Sequence, residues 1–224
     1  IVPIVPFLTL RYLAHPNNLA AIVGWLFAAY GICQLIAAPS LGVLSDRFGR
    51  RPILFICLLG SAFGYLILGL GGALWLLFLG RIIDGLTGGN ITVLFGYVAD
   101  ITEPKDRGKY FGLLGSAAGV GTLIGPALGG LLATINDRVP FLAAAGLFLL
   151  TLVCGYFLLP ESLDKEHRIT SIAVSELNPL KQLVSVFRWA NLRWLLLAWF
   201  FYAFPVGMLQ TTITVLMKDN LGFN

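Results

Sequence analysis

A chain of 224 residues that is 58% hydrophobic, only 12% charged and has a mean hydropathy of +0.86 is excluded from the class of water-soluble single domains. Soluble domains are about a quarter charged, and one core of this length cannot hide so much apolar surface. The net charge of +4 does not point to nucleic acid, because the basic residues form no single patch along the sequence.

In lipid every backbone polar group needs an internal partner, which leaves helices or a closed barrel. Barrel strands alternate apolar and polar residues over about ten positions. Here the apolar runs are continuous and long enough to cross ~30 Å of hydrocarbon as helices. The sequence predicts an all-α integral membrane protein.

The first apolar run, Ile1 to Leu10, is too short to span and begins without methionine. The next runs are Leu19–Val43, Ile53–Gly72, Leu74–Ala99, Tyr110–Ala133, Phe141–Leu159 and Leu192–Met217, giving six full spans preceded by the outer end of another. Charges in the connectors sort by side. Alternate connectors carry Arg47, Arg50 and Arg51, then Lys105, Arg107 and Lys109, then Lys165, Arg168, Lys181 and Arg188, with Arg193 at the next edge. The opposite set holds Arg11, Arg138 and Lys218, so the count is eleven against three and the larger group is expected in the cytoplasm. Ile1–Leu10 then runs outward and the chain stops outside. The long connector Pro160–Asn191 is polar at first. From Asn178 it shows helical spacing of apolar residues, which fits a surface-lying helix or a solvated linker containing a short helix.

Ionisable groups inside a span cost a few kcal/mol each and need a partner or a cavity. The fourth span contains Arg81 and Asp84, three apart on one helix face, with Gly88 and Thr92 expected to continue that face as the wall of a watery passage. Burial and a neighbouring arginine act oppositely on a carboxylate's hold on its proton, so a changing pairing would load or release one. The plainer alternative is a buried salt bridge that only fixes packing. The fifth span is rich in glycine: Gly112, Gly115, Gly119, Gly121, Gly125-Pro126 and Gly129-Gly130. Gly121, Gly125 and Gly129 recur every four residues, which predicts a smooth face for close packing, and Pro126 removes a backbone donor. Together they suggest a bendable helix at a gate.

After the second span comes Gly42-Val-Leu-Ser-Asp46-Arg47-Phe-Gly49-Arg50-Arg51-Pro52. Such a charge cluster is either a topology anchor or a working network. Gly42 permits close approach, Gly49 a tight turn, and Asp100 is placed to partner these arginines. Cys33, Cys57 and Cys154 lie within apolar runs and read as small core residues, not a disulfide or metal site. His15 and His167 fall in connectors on opposite sides and cannot converge, and no nucleophile–base pair is visible, so no enzyme and no cofactor are expected. Trp25, Tyr30, Gln34, Asn90 and Gln210 are candidate cavity residues, each equally able to face lipid or a neighbouring helix.

The Gly42-to-Pro52 segment resembles the signature between helices two and three of the major facilitator superfamily. Arg81-Ile-Ile-Asp84-Gly85 is similar to the family's fourth-helix motif, with Thr87 in place of a usual second glycine. The order Gly112, Gly121, Gly125-Pro126, Gly129-Gly130 resembles the antiporter motif of exporters. Pro3 and Pro6 resemble the proline pair late in helix one, and Leu159-Pro160-Glu161-Ser162 the end of helix six. The resemblance covers nearly the whole chain and is to twelve-span tetracycline-type and multidrug:proton antiporters.

What it implies is a major facilitator fold: an N-terminal six-helix bundle over residues 1–159 with helix one truncated, a cytoplasmic linker over 160–191, and the truncated first helix of a C-terminal bundle over 192–224. It also implies a proton-coupling role for Arg81, joined by Asp84 on the residue reading above. Asp46, Arg50 and Asp100 would form a cytoplasmic charge network that latches the outward-open state, with Arg47 and Arg51 beside them. Gly42, Gly49, Gly85 and the fifth-span glycines with Pro126 would serve packing and gating. The expected function is proton-coupled export of small amphiphilic compounds from a bacterial inner membrane. Its partners would be substrate, protons, lipid and a missing C-terminal bundle. A metabolite or sugar facilitator, or a non-functional truncated fragment, is the alternative.

Overall fold

The computed structural model describes residues 4–13, 18–164, 166, 168–169, 177–187 and 190–221. Pro3, His15, Lys165, His167 and Arg188 lie outside these, as do the side chains of Gln210 and Lys218. Helices run in the order α1 Val5–Leu10, α2 Leu19–Phe48, α3 Arg50–Leu70, α4 Leu74–Leu86, α5 Asn90–Ile101, α6 Arg107–Ala133, α7 Val139–Leu158, α8 Pro179–Phe187 and α9 Ala190–Leu221, with no strand among the described residues. By length and composition α2, α3, α6 and α7 can each cross a membrane, as can α4 and α5 taken together over Leu74–Ile101. The expected last span falls within α9, whose described apolar stretch is Arg193–Leu209.

The fourth span differs from the expectation of one continuous helix. It breaks at Thr87–Gly89 between α4 and α5. Consecutive glycines are poor helix formers, each costing about 1 kcal/mol relative to alanine, and the chain tightens there into a Gly88 N–H bond to the Gly85 carbonyl at 3.1 Å. A broken helix in lipid must have its freed backbone groups satisfied from elsewhere. Gln34 of α2 does this, donating from Nε2 to the Gly88 carbonyl at 3.1 Å.

α3 is the central post. On one side its Leu68 joins Ile4 just before α1, Val5 and Leu8 of α1, Leu26 of α2, Leu77 of α4 and Phe141 of α7 in an apolar cluster. Further along, Ile53, Leu54, Cys57 and Leu58 pack with Val93 of α5 against Phe148 and Leu152 of α7. The α3–α4 crossing is set by absent side chains. A Cβ on Gly64 would lie 2.8 Å from the Gly80 carbonyl oxygen, and one on Gly80 equally close to that of Gly64. The opposite surfaces carry exposed Trp25, Leu123, Leu131, Phe157 and Leu158, which is the expected outside of a protein solvated by lipid. Cys57 is buried, but Cys154 sits exposed on this apolar surface of α7, so the expectation of a core position fails for it.

α6 departs further from expectation. Gly112, Gly121, Gly125 and Gly130 have open space where a Cβ would stand, and only Gly129 of that helix is buried. Among the described residues of this chain the repeat holds no neighbouring helix in tight contact. Instead Gly121, Gly125, Pro126 and Gly129 wall a groove of about 530 Å³ whose other sides include Tyr65 of α3 and Leu147 of α7. The helix itself continues unbroken through Pro126.

At the end away from the arginine-rich connectors, three loops are tied together. Arg11 pairs with Asp137 at 2.8 Å. The Tyr12 hydroxyl accepts from the Gly72 N–H at 2.9 Å and from Arg138 Nη2 at 3.2 Å. The Gly72 donor, helped by Arg138, holds the Tyr12 phenol below its usual range. Gly64→Leu is expected to destabilise the bundle by about 3 kcal/mol or more, because its obstacle is backbone, whereas Gly24→Leu, with open space beside it, is expected to be near neutral. Thermal unfolding of the two variants in detergent checks this.

Candidate functional site

Two clusters of charge stand out, one sunk in the bundle and one at its basic end. In the bundle, α4 presents Arg81 and Asp84 on its packed face, 5% and 4% exposed. The close α2–α4 approach needs Gly85, whose Cβ would lie 2.6 Å from the Tyr30 carbonyl oxygen. That approach brings the rings of Phe27 and Tyr30 onto the Arg81 guanidinium, each centroid at 4.8 Å. Stacked cations of this kind gain from the ring quadrupoles.

Arg81 Nη1 and Asp84 Oδ2 are 3.8 Å apart, which gives strong charge attraction but is beyond hydrogen-bond length. Arg81 Nε is buried with no partner. On α3, Gly64 gives Asp84 room, since a Cβ there would lie 3.0 Å from the Asp84 Cβ. Adding a proton to Asp84 would strip Arg81 of its nearest counter-charge inside an apolar bundle, so proton binding and the local packing are coupled. Gly88 and Thr92 do not extend this face along one helix, because the break at Thr87–Gly89 intervenes. Gly88 faces Gln34, and Thr92 lies beside Gly42, 3.5 Å from where its Cβ would be.

The second cluster forms where α2 turns into α3. Gly49 makes that turn at φ +105°, a conformation L side chains rarely adopt, and its Cβ would collide with the Glu161 carboxylate. The turn aims Arg50 at two carboxylates: Nη2 meets Asp46 at 2.6 Å and Nε meets Asp100 at 2.9 Å. Ser45 accepts from Arg50 Nη1 at 2.6 Å. Gly96 on α5 leaves the space for the guanidinium, since its Cβ would lie 2.8 Å from Arg50 Cζ. Arg47 and Arg51 stay outside this network. Arg47 lies over the Phe48 ring at 5.3 Å, while Arg51 donates to the Tyr156 carbonyl and stacks on Phe55 and Tyr156.

Sequence reasoning missed Glu161 as a site residue. Its Oε1 accepts from the Arg50 N–H at 2.8 Å and the Arg51 N–H at 3.4 Å, capping α3 where Gly49 has no side chain to do so. Arg168 Nη2 stands 3.7 Å from its other oxygen, and Ser162 donates to Asp100 at 3.3 Å. The available signal was Gly49 itself, since a helix starting after glycine needs an acceptor from elsewhere. Phe27 was also missed, because it reaches Arg81 only through the packing of α2 on α4. Of the cavity candidates, Trp25 is exposed, while Tyr30 and Gln34 serve Arg81 and the α4–α5 break. Asn90 bonds its own neighbour, accepting from the Ile91 N–H at 2.8 Å. Among the described residues no group of three or more His, Cys, Asp or Glu side chains is placed to hold a metal.

A turn glycine at the α2–α3 corner, an arginine bridging two carboxylates there and a buried Arg–Asp pair on the fourth span accompany a family match that takes in residues 2–224. The chain belongs to the Major Facilitator Superfamily. Among curated members it is 44% identical to the tetracycline resistance protein, class C, of Escherichia coli over 85% of this chain and 46% of that protein. It is 38% identical to the class H protein of Pasteurella multocida, over 98% of this chain and 54% of that one. It is 36% identical to multidrug resistance protein 2 of Bacillus subtilis, over 75% and 41%. The structure of the human organic anion transporter MFSD10 (TETRAN) superposes with a TM-score of 0.75 at 26% identity, covering 99% of this chain and 61% of that one. The chain spans about half the length of the curated relatives it matches. As a superfamily member it is a multi-pass membrane protein of all-α fold.

In this superfamily member Glu161→Ala is expected to cost about 1 kcal/mol of stability through the lost α3 cap, with Glu161→Gln losing less because an amide oxygen still accepts. Thermal unfolding of both variants in one detergent checks the order.

Proposed function

We propose that the chain is the amino-terminal bundle, over 1–159, of a proton-coupled exporter of small amphiphilic compounds. Residues 160–191 would be a linker and 192–224 the start of a second bundle. The two bundles would rock about a midplane site, with protons moving inward as substrate moves out. The relatives support the cargo class: they are tetracycline and multidrug resistance proteins, and each is about twice this chain's matched length. The single observation that carries the coupling reading is the buried Arg81–Asp84 pair, whose balance a proton upsets. The chain does no covalent chemistry in this reading. The basic end faces the cytoplasm of a bacterial inner membrane, as the eleven-to-three charge count favours.

At that end, Asp46, Arg50 and Asp100 act as a latch, because one guanidinium ties α2, α3 and α5 and can be released only by breaking charge-assisted bonds. Gly42 and Gly49 shape the corner, and Gly85 sets the α2–α4 approach. Gly112, Gly121, Gly125, Pro126, Gly129 and Gly130 leave α6 loosely held and so able to bend.

The test uses the complete product of the reading frame that carries this chain, in proteoliposomes. Drug addition is expected to release protons in the parent protein and not in Asp84→Asn, with the coupled rate falling at least tenfold, the scale of losing an essential proton carrier. Drug movement with no proton signal in the parent would mean a facilitator.

A further inference from the structure

The stretch that leaves α7, described at 160–164, 166 and 168–169, lies back over the α2–α3 corner. Tyr97 of α5 fixes its start, donating from its hydroxyl to the Pro160 carbonyl at 3.0 Å. Three further bonds reach the Asp46–Arg50–Asp100 network, one to each member. The Glu161 carboxylate takes the Arg50 N–H at 2.8 Å. Ser162 donates to Asp100 Oδ2, the same oxygen that Arg50 Nε meets. The Ile169 N–H donates to the Asp46 backbone carbonyl at 3.2 Å.

The stretch is also tied to itself. Glu161 Oε1 takes the Leu163 N–H at 3.3 Å, and Glu161 Oε2 faces Arg168 Nη2 at 3.7 Å. Arg168 donates from Nε and Nη2 to the Leu163 carbonyl, both at 3.3 Å. Arg168 therefore joins the two ends of the loop, right beside the residue that bonds Asp46. Below it, α3 and α7 cap each other. Glu161, just past α7, takes the N–H groups of Arg50 and Arg51 at the start of α3, while Arg51 donates to the Tyr156 carbonyl in the last turn of α7. Each contact sets a full charge against the helix end of opposite polarity.

From these bonds we propose that the stretch after α7 is a strap that holds the latch closed, with Glu161 and Arg168 as its positioning residues. The proposal rests on the latch role given above to Asp46, Arg50 and Asp100. The strap begins the linker toward the second bundle, so a rocking motion that draws on the linker removes a bond from all three latch residues together. The bonds of Arg168 go to Glu161 and Leu163 rather than to the latch, yet its loss should loosen the latch, because bonds in one network reinforce one another.

The experiment is hydrogen exchange read by mass spectrometry on the complete reading-frame product in detergent, for the parent, Arg168→Gln and Arg168→Lys. Peptides from 161–169 report the strap, and peptides from the ends of α2 and α5 around Asp46 and Asp100 report the latch. Arg168→Gln is expected to speed exchange about fivefold in the strap and in both helix ends, the scale of one lost contact to a charged group. Arg168→Lys, which keeps the charge, should restore most of the protection. A strap that exchanges faster while both helix ends keep the parent rate overturns the proposal. So does a strap indifferent to Arg168→Gln, or a lysine variant no better than the glutamine one. If Arg168→Gln does not fold, Glu161→Gln, which keeps an acceptor for the α3 N–H groups, gives the same comparison. Asp100→Asn separates the two claims. Parent-like exchange at both helix ends and parent-like drug export in that variant defeat the latch itself, whereas a change there beside unmoved helix ends in Arg168→Gln defeats only the strap.

Discussion

Lipid offers no hydrogen bonds, and this constraint organises the molecule. Every polar group below the surface must find its partner within the bundle, and each such partner fixes how two helices meet. The break in the fourth span is tolerated because Gln34 reaches across from α2 to the Gly88 carbonyl. Arg81 is tolerated because Phe27 and Tyr30 enclose it and Asp84 neutralises it. The helix that bears the carboxylate, in turn, crosses α3 where Gly64 and Gly80 leave room for it. The polar groups that define the candidate site therefore also join α2 to the fourth span.

The same logic explains the contrast between the two ends. At the basic end one arginine, Arg50, gathers Asp46, Asp100 and Ser45, and a second acid, Glu161, caps the helix on which Arg50 sits. These bonds involve full charges in a largely covered setting, which keeps them strong. At the other end Tyr12 ties the loops with one backbone bond and one arginine, and Arg11 and Asp137 pair beside it. Among the described residues α6 has neither kind of anchor along most of its length.

Much of this was legible in the sequence, for physical reasons. Span length and hydropathy are dictated by the thickness of hydrocarbon, so the helices α2, α3, α6 and α7 appear where apolar runs do. Charges inside a span are costly enough to announce themselves, which is why Arg81 and Asp84 could be singled out. Asp100 was readable as a partner of the turn arginines because short connectors put both at one membrane face. What could not be read was anything decided between helices. Nothing in the spacing of Phe27 and Tyr30 says that they turn toward Arg81. The four-residue glycine repeat of α6 suggested tight packing, but it walls a groove, since a smooth face describes only what is absent. Arg47 and Arg51 look equivalent to Arg50 as letters. Only the direction of the Gly49 turn selects the middle one for the carboxylates.

The bare crossing of α3 and α4 has an evolutionary consequence. At Gly60 the obstacle to a larger side chain is the side chain of Thr87, and at Gly89 it is Leu41, so each pair can drift together, one partner shrinking as the other grows. Gly64 and Gly80 block each other with carbonyl oxygens, which no substitution removes. Neither position has a compensating mutation open to it. Among descendants of this sequence the two should stay frozen, and for that reason they will show no covariation, although they mark a close backbone passage between α3 and α4.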